Sequence, residues 1–295
     1  RKDLVEKYKL DVTNLKKTSD LTPIFQIIKD NEPDVYCLSE PAPMIYFLDY
    51  APIVDLNVYV DQNWKVYDRY DTDMVENYQV IREWYKKGFM PSDASTLKDH
   101  DSLIKAGKVF SRFTRIKPGG EADLKAQYGF DVVQIATSEP VVEKTGVLST
   151  MSAISVTSKN PDRAMMLLNL MNTDKILYNI LVFGTENLDY KKVSENRIET
   201  IPDTYFAYAW QLGNNFNAYV KDAQPDNVWD ETKRLNDAAT LGKMTGFTFD
   251  KKNVENEYAQ ATAINQEFDK ILDYGLDETE TVLQKRTEKL KAANY

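Results

Sequence analysis

Cysteine occurs once in this 295-residue chain, as Cys37, and histidine once, as His100. A single cysteine rules out a disulfide framework or a Cys-rich metal site within the chain. It stands in Val35-Tyr36-Cys37-Leu38, which reads as a strand carrying a lone buried thiol. Any Ser-His-Asp or Cys-His relay would have to use His100, and its setting, Lys98-Asp99-His100-Asp101, reads as a solvated helix start. No apolar run approaches the roughly 18 residues of a membrane-spanning helix. Positive charge is in deficit, with 37 Lys and Arg against 46 Asp and Glu, a net charge of −9 and a pI of about 4.9. That argues against nucleic acid as a partner, because holding phosphates takes clustered cations. Diagnostic nucleophile motifs, Gly-rich phosphate loops and metal-ligand spacings are missing. Asp68, Asp71 and Asp73 lack the glycine and bidentate glutamate of a calcium loop, so no metal is expected. No cofactor is expected either. The opening Arg1-Lys2-Asp3-Leu4 has no Met and no signal peptide, and reads as a fragment whose upstream portion is missing.

What is present suits two ordinary domains with real cores: 42% hydrophobic residues and 12% aromatics, including 18 Tyr and 4 Trp. A Tyr-rich acidic composition fits sugar binding and core filling equally well. Residues 1–8 read as a short helical turn. Leu21, Ile24, Phe25 and Ile28 make an amphipathic helix capped by Thr18 or Ser19 and ended by Pro33. Two short strands flank a turn at Asp61-Gln62-Asn63, and a helix through Met74, Tyr78, Ile81 and Tyr85 stops at Gly88. Strands are expected at residues 35–38, 109–113 and 130–135. The organising stretch is residues 145–179. There the β-branched Ile154, Val156 and Thr157 favour extended backbone, and Asn160-Pro161-Asp162 opens a helix carrying Ala164, Leu167, Leu168 and Met171. On composition alone this is an ordinary strand–helix unit of an α/β domain. Further helices are expected over residues 173–180, around Trp229 and Asn236, from Val254 to Ile271, and from Asp277 to Leu290.

The pattern "GVLS…A-I-small…S-K-N-P…A…L" in that stretch resembles the second inter-lobe crossing of bacterial extracellular solute-binding proteins, the sugar-binding group that includes maltose-binding protein. The opening "R-K-D-L-x-x-K-Y" resembles the start of their second lobe, and Trp84-Tyr85-Lys86-Lys87-Gly88-Phe89-Met90 resembles a common helix end. Asn169 to Tyr190, Gly213-Asn214-Asn215-Phe216 and Gly246-Phe247-Thr248-Phe249-Asp250 are similar to a Gram-positive lipoprotein subgroup with a C-terminal domain of unassigned function. At Thr185-Glu186-Asn187 the chain departs from that subgroup's Ile-Glu-Gly.

The resemblance implies an α/β fold, periplasmic-binding-protein-like type II, with two lobes, an interlobe cleft and a first lobe incomplete in this chain. Residues 1–146 would be the first part of the second lobe, 147–205 the returning segment of the first, and 206–295 the helical end of the second. A returning segment without its full sheet would expose Leu167, Leu168 and Met171 unless another chain covers them. The implied role is substrate capture for an ABC importer, with an oligosaccharide held in the cleft and passed to permease subunits, and no catalysis. The implied setting is the surface of a Gram-positive cell, with membrane contact only through a lipid anchor absent from this chain. A glycan hydrolase, a surface adhesin, and a peptide or amino-sugar binder of the same fold remain as alternatives. The ligand-binding candidates are Glu40 and Tyr46 beyond the first strand, Arg112, Thr114 and Arg115 beyond the second, Thr150 and Met151 at the crossing, and Trp210, Asn214 and Asn215. Carboxylates and amides suit sugar hydroxyls, an aromatic face suits a pyranose ring, and arginine offers a planar donor fork.

Overall fold

The computed structural model describes residues 1–41, 51–54, 56–71, 74–142, 144–205 and 207–293. In chain order the helices are α1 (Lys2–Lys7), α2 (Leu21–Asn31), α3 (Met74–Lys86), α4 (His100–Lys105), α5 (Gly120–Tyr128), α6 (Lys144–Val147), α7 (Pro161–Thr173), α8 (Lys175–Phe183), α9 (Val228–Ala238), α10 (Glu255–Asp273) and α11 (Thr279–Ala292). The strands are β1 (Ala51–Val54), β2 (Val58–Val60), β3 (Val66–Asp68), β4 (Val141–Val142), β5 (Tyr190–Lys192), β6 (Arg197–Thr200), β7 (Val220–Lys221) and β8 (Thr240–Leu241). The chain divides into two compact units. One comprises Arg1–Ile116, Leu124–Glu139 and Gly242–Tyr295, the other Lys117–Asp123 and Pro140–Leu241.

The first unit is built on the apolar stripe of α2. Leu21, Ile24, Phe25 and Ile28 recur at helical spacing and are all buried. Trp84 of α3 meets Phe25 edge-on at 4.8 Å and donates its indole N–H to Thr22 Oγ1 at 2.9 Å. Phe268 and Leu272 of α10 and Val282 of α11 complete this core. The turn between those two helices passes so close to α3 that a Cβ on Gly275 would lie 2.7 Å from the Ile81 carbonyl oxygen. Strands β1, β2 and β3 form an antiparallel meander, with Ala51 opposite Val60 and Tyr59 opposite Tyr67. Cys37 is buried, lies within hydrogen-bonding distance of the Phe25 carbonyl at 3.3 Å, and burial pushes its thiol up to about 12. It is an inert core residue, as its setting suggests.

Several sequence expectations need correction here. The helix α2 is not capped by Thr18 or Ser19, which lie in a 3-10 turn. Asp20 closes that turn, its Oδ2 accepting the N–H groups of Lys16 and Lys17 at 2.9 and 3.1 Å. The stretches at 35–38 and 109–113 do lie parallel, but among the described residues their one ladder bridge is between Tyr36 and Val109. Past that bridge the N–H groups of Cys37 and Leu38 both turn to the Phe89 carbonyl, which cuts the ladder short. Residues 130–135 are irregular, with Lys2 N–H donating to Asp131 O at 3.0 Å.

The second unit is organised by α8. Tyr178, Val182 and Phe183 pack with Tyr190, Ile198 and Ala218 from the sheet side. Its sheet runs β5-β6-β7, antiparallel and then parallel, and β4 pairs in parallel with β8. Helix α7 starts where the Asn160-Pro161 signal places it, though the Asn160 side chain makes no cap bond. None of its residues is fully buried. Leu167 is exposed, and Leu168 and Met171 are half-buried. Residues 154–157 form no strand. Ser155 Oγ accepts the Thr157 N–H at 3.2 Å and Ser155 O accepts the Ser158 N–H at 3.0 Å, so a local side-chain turn replaces a ladder.

Candidate ligand-binding site

In the first unit the short parallel pairing sets the chemistry. Parallel segments end on the same side, so Glu40, two residues past Leu38, and Arg112, just past Ser111, arrive together. Ser111 fixes this alignment from both its groups, its N–H donating to Cys37 O at 3.1 Å and its hydroxyl to the same oxygen at 2.8 Å. Arg112 Nη2 then donates to Glu40 Oε1 at 2.9 Å, and Nη1 reaches Asp101 Oδ1 at 3.1 Å. Nη1 also meets the Tyr128 hydroxyl, which donates to Asp101 Oδ1 at 2.9 Å. Burial, followed by the bond to Asp101, pushes the Tyr128 phenol up to about 12, so it stays protonated and donates. One guanidinium thus faces two carboxylates, which leaves acceptor capacity in excess of donors. The donor fork of Arg112 is turned inward, where it holds Glu40 in place. Arg112 Nε is buried with no partner among the described residues.

Of the other candidates in this unit, Thr114 and Arg115 are exposed. Tyr46 lies outside the described residues, as does Asp73. Asp101 and Tyr128 were not singled out from sequence. Asp101 sits in the stretch that reads as a solvated helix start, and Tyr128 ends α5. Only the packing of α4 and α5 residues with Val109 and Phe130 shows that they converge on Arg112.

In the second unit the loop at residues 207–218 presents aromatics on a fixed backbone. Trp210 and Tyr208 are 51% and 53% exposed, with ring centroids 6.0 Å apart. Phe216, also exposed, meets Trp229 edge-on at 6.1 Å. Beneath them the loop is fastened to α7 and α8. Tyr178 donates its hydroxyl to Ala209 O at 2.7 Å, and Asn179 donates to Asn217 O at 2.8 Å. Asn217 in turn donates to Asn172 O at 3.0 Å. At Gly213 the backbone is left-handed, with φ of 48°, and a Cβ there would lie 2.2 Å from Met171 O, so only glycine fits. The expected amides are partly committed to this framework. Asn214 Oδ1 accepts Phe216 N–H at 3.1 Å and Asn215 Oδ1 lies 3.3 Å from the Tyr178 hydroxyl. The Asn214 carbonyl end is thus occupied, and the NH₂ ends of both amides are the donors that remain. At the crossing, Thr150 is half-buried and Met151 is 73% exposed. Tyr208, Phe216 and Trp229 join Trp210 as aromatics of this surface that were not named as site residues from sequence.

Among the described residues no helix is long and apolar enough to cross a membrane. Residues 243–295 match a family described as a domain of unknown function, DUF3502. A carbohydrate ABC transporter substrate-binding protein of Streptococcus pneumoniae is 25% identical over 303 residues, covering 98% of this chain. The chain spans 61% of that relative's length. The crystal structure of the N-glycan transport solute binding protein NgtS from Streptococcus pneumoniae superposes with a TM-score of 0.86 at 24% identity, covering 99% of this chain and 67% of that one. The same protein in complex with Man5GlcNAc gives a TM-score of 0.78 at 23% identity, again covering 99% of this chain and 67% of that one. An extracellular solute-binding protein from Bifidobacterium longum subsp. infantis gives 0.52 at 15% identity, covering 98% and 69%. The chain therefore has the α/β fold of the solute-binding proteins, the periplasmic-binding-protein fold, and ends in the segment described as DUF3502.

Proposed function

We propose that this chain is the solute-binding component of an ABC importer and that its solute is an oligosaccharide. It acts outside the cell, at the surface of a Gram-positive bacterium, held to the membrane by an anchor and handing its cargo to permease subunits. Residues 1–146 and 206–295 are read as parts of the second lobe of the fold, and 147–205 as the returning segment of the first. Binding involves conformational closure on the ligand, with no bond made or broken.

The observation that carries this reading is a rigid aromatic surface on a solute-binding fold. Tyr208, Trp210 and Phe216 are exposed although their backbone is fastened by α7 and α8. Flat apolar faces with amide donors at Asn214 and Asn215 suit the carbon–hydrogen face and the hydroxyls of a pyranose. In the first unit, the excess of carboxylate oxygen around Arg112 suits hydroxyl donors. Neither set suits an anionic ligand.

The test is a melting-temperature screen of the chain against mannose- and N-acetylglucosamine-containing glycans, with peptides of matched size alongside. A ligand at 100 times its dissociation constant adds about 2.7 kcal/mol of stability. A rise with glycans alone supports the reading. A flat response to glycans with a rise for peptides overturns the carbohydrate assignment, and hydrolysis of the glycans would overturn the transport role.

A further inference from the structure

The turn between β2 and β3 carries a tryptophan in a backbone state that tryptophan rarely adopts. Trp64 has a φ of 65°, and 64% of the residue is exposed. Among the described residues the other non-glycine positions with positive φ are Lys9, Asn57, Asn187, Asp203 and Asp222. Four of those five are Asn or Asp, the types that tolerate this region, whereas a bulky ring there is an outlier. Glycine or asparagine would make the same turn with less strain. Nor is the indole required by a core, since most of it lies in solvent. Residues held against their preference are a pointer to function.

The surroundings fix the ring. Asp61 Oδ1 accepts the N–H groups of Asn63 and Lys65 at 2.8 and 2.9 Å, and Asp61 O accepts that of Trp64 at 3.1 Å. Lys243, the first residue of the C-terminal segment of unknown function, donates Nζ to Asp61 O at 2.6 Å. The same ammonium lies over the Trp64 ring, 4.4 Å from its centroid. Deeper in the meander the same segment grips again. Asn57 donates to Asp269 at 2.9 Å, Asn265 donates to Leu56 O at 3.1 Å, and Arg286 donates to Asp68 at 2.9 Å. The turn is therefore braced at its tip and at its base by residues 243–295.

We propose that Trp64 is a sugar-stacking subsite and that one role of the C-terminal segment is to hold it in position. The ligand is a pyranose residue of an oligosaccharide. It lies on the face of the indole opposite the Lys243 ammonium, which covers the other face. This subsite rests on the carbohydrate reading above and adds to it a position in the first unit, on an element separate from the Glu40–Arg112 cluster.

The experiment is calorimetric titration of the full chain with Man5GlcNAc, alongside NMR of the four indole N–H signals, with the Trp64 signal assigned by its loss in Trp64→Phe. Trp64→Ala is expected to weaken binding by about tenfold at unchanged melting temperature, as for an aromatic hot spot. Trp64→Phe, which keeps a stacking face, is expected to retain most of the affinity, and Lys243→Met to fall between. The Trp64 indole signal is expected to shift during titration of the unaltered chain, a readout that holds even if a variant misfolds. Unchanged affinity in Trp64→Ala with a stationary indole signal would overturn the subsite and leave the carbohydrate reading standing. A wild-type chain that binds no glycan in the panel overturns both.

Discussion

Arg112 shows how a single side chain acquires its role from partners that are distant in sequence. Its guanidinium is shared among Glu40, Asp101 and Tyr128, which lie 72, 11 and 16 residues away. Removing the charge leaves two carboxylates facing each other with only the phenol between them. Arg112→Leu is therefore expected to lower the stability of the chain by about 2 kcal/mol, the scale of a hydrogen bond to a charged group, read as a drop in the urea midpoint. It is also expected to weaken glycan binding, since Glu40 loses its anchor. Thr114→Ala and Arg115→Ala, at exposed positions, are expected to stay within about 0.5 kcal/mol of the parent. A stability loss in Arg112→Leu no larger than in these two would show that the cluster holds nothing. The residue types at 40 and 112 were legible as ligand chemistry in the sequence. That one of them serves to position the other was not, because it depends on α4 and α5 arriving beside a strand end.

Among the elements, α10 carries the clearest consequence. Its inner face was legible from the spacing of Ala261, Ile264 and Phe268, but it also brings two carboxylates, Asp269 and Asp273, against the meander. Asp269 accepts from Asn57 and from the Tyr70 hydroxyl, and Asp273 pairs with Arg69 at 3.3 Å. Burial outweighs that ion pair and raises the Asp273 carboxyl to about 6, with the nearby Asp269 charge adding to the rise. Tyr78 and Tyr274 also face it, and both phenols are pushed up by burial. The native state thus takes up a proton at Asp273 more readily than the unfolded chain does. Both states are ionised at pH 7. As pH falls through about 6 toward the ordinary carboxylate value, the native state gains a proton first and stability rises. A difference of about two units corresponds to about 2–3 kcal/mol at most. Asp273→Asn is expected to be more stable than the parent at pH 7, and the gap should close by about pH 4, as read by urea unfolding at each pH. A gap that widens on acidification would contradict this assignment.

For the whole molecule, the proposed capture by closure has a solution signature. Saturating glycan is expected to reduce the radius of gyration measured by small-angle scattering, with no covalent change in the ligand recovered afterwards. Unchanged scattering at full occupancy would favour a static glycan-binding module. The chain's own order of apolar and polar residues determined most helices: α2, α3, α8, α9, α10 and α11 lie within a few residues of where the sequence places them, though the cap read for α2 was wrong, because helix hydrogen bonds are local. The short β2–β3 hairpin was legible for the same reason. The stretches at 35–38, 109–113, 130–135 and 154–157 have strand-like composition, yet whether they form strands was decided by which backbone groups came to lie beside them. Phe89 ends one ladder, and Ser155 turns the last stretch back on itself. The same division holds for ligand chemistry. Composition could nominate carboxylates, amides and aromatics, but the inward turn of Arg112, the locked loop under Trp210 and the braced ring of Trp64 exist only because distant segments meet, and pairing between distant segments leaves no periodic trace in either one.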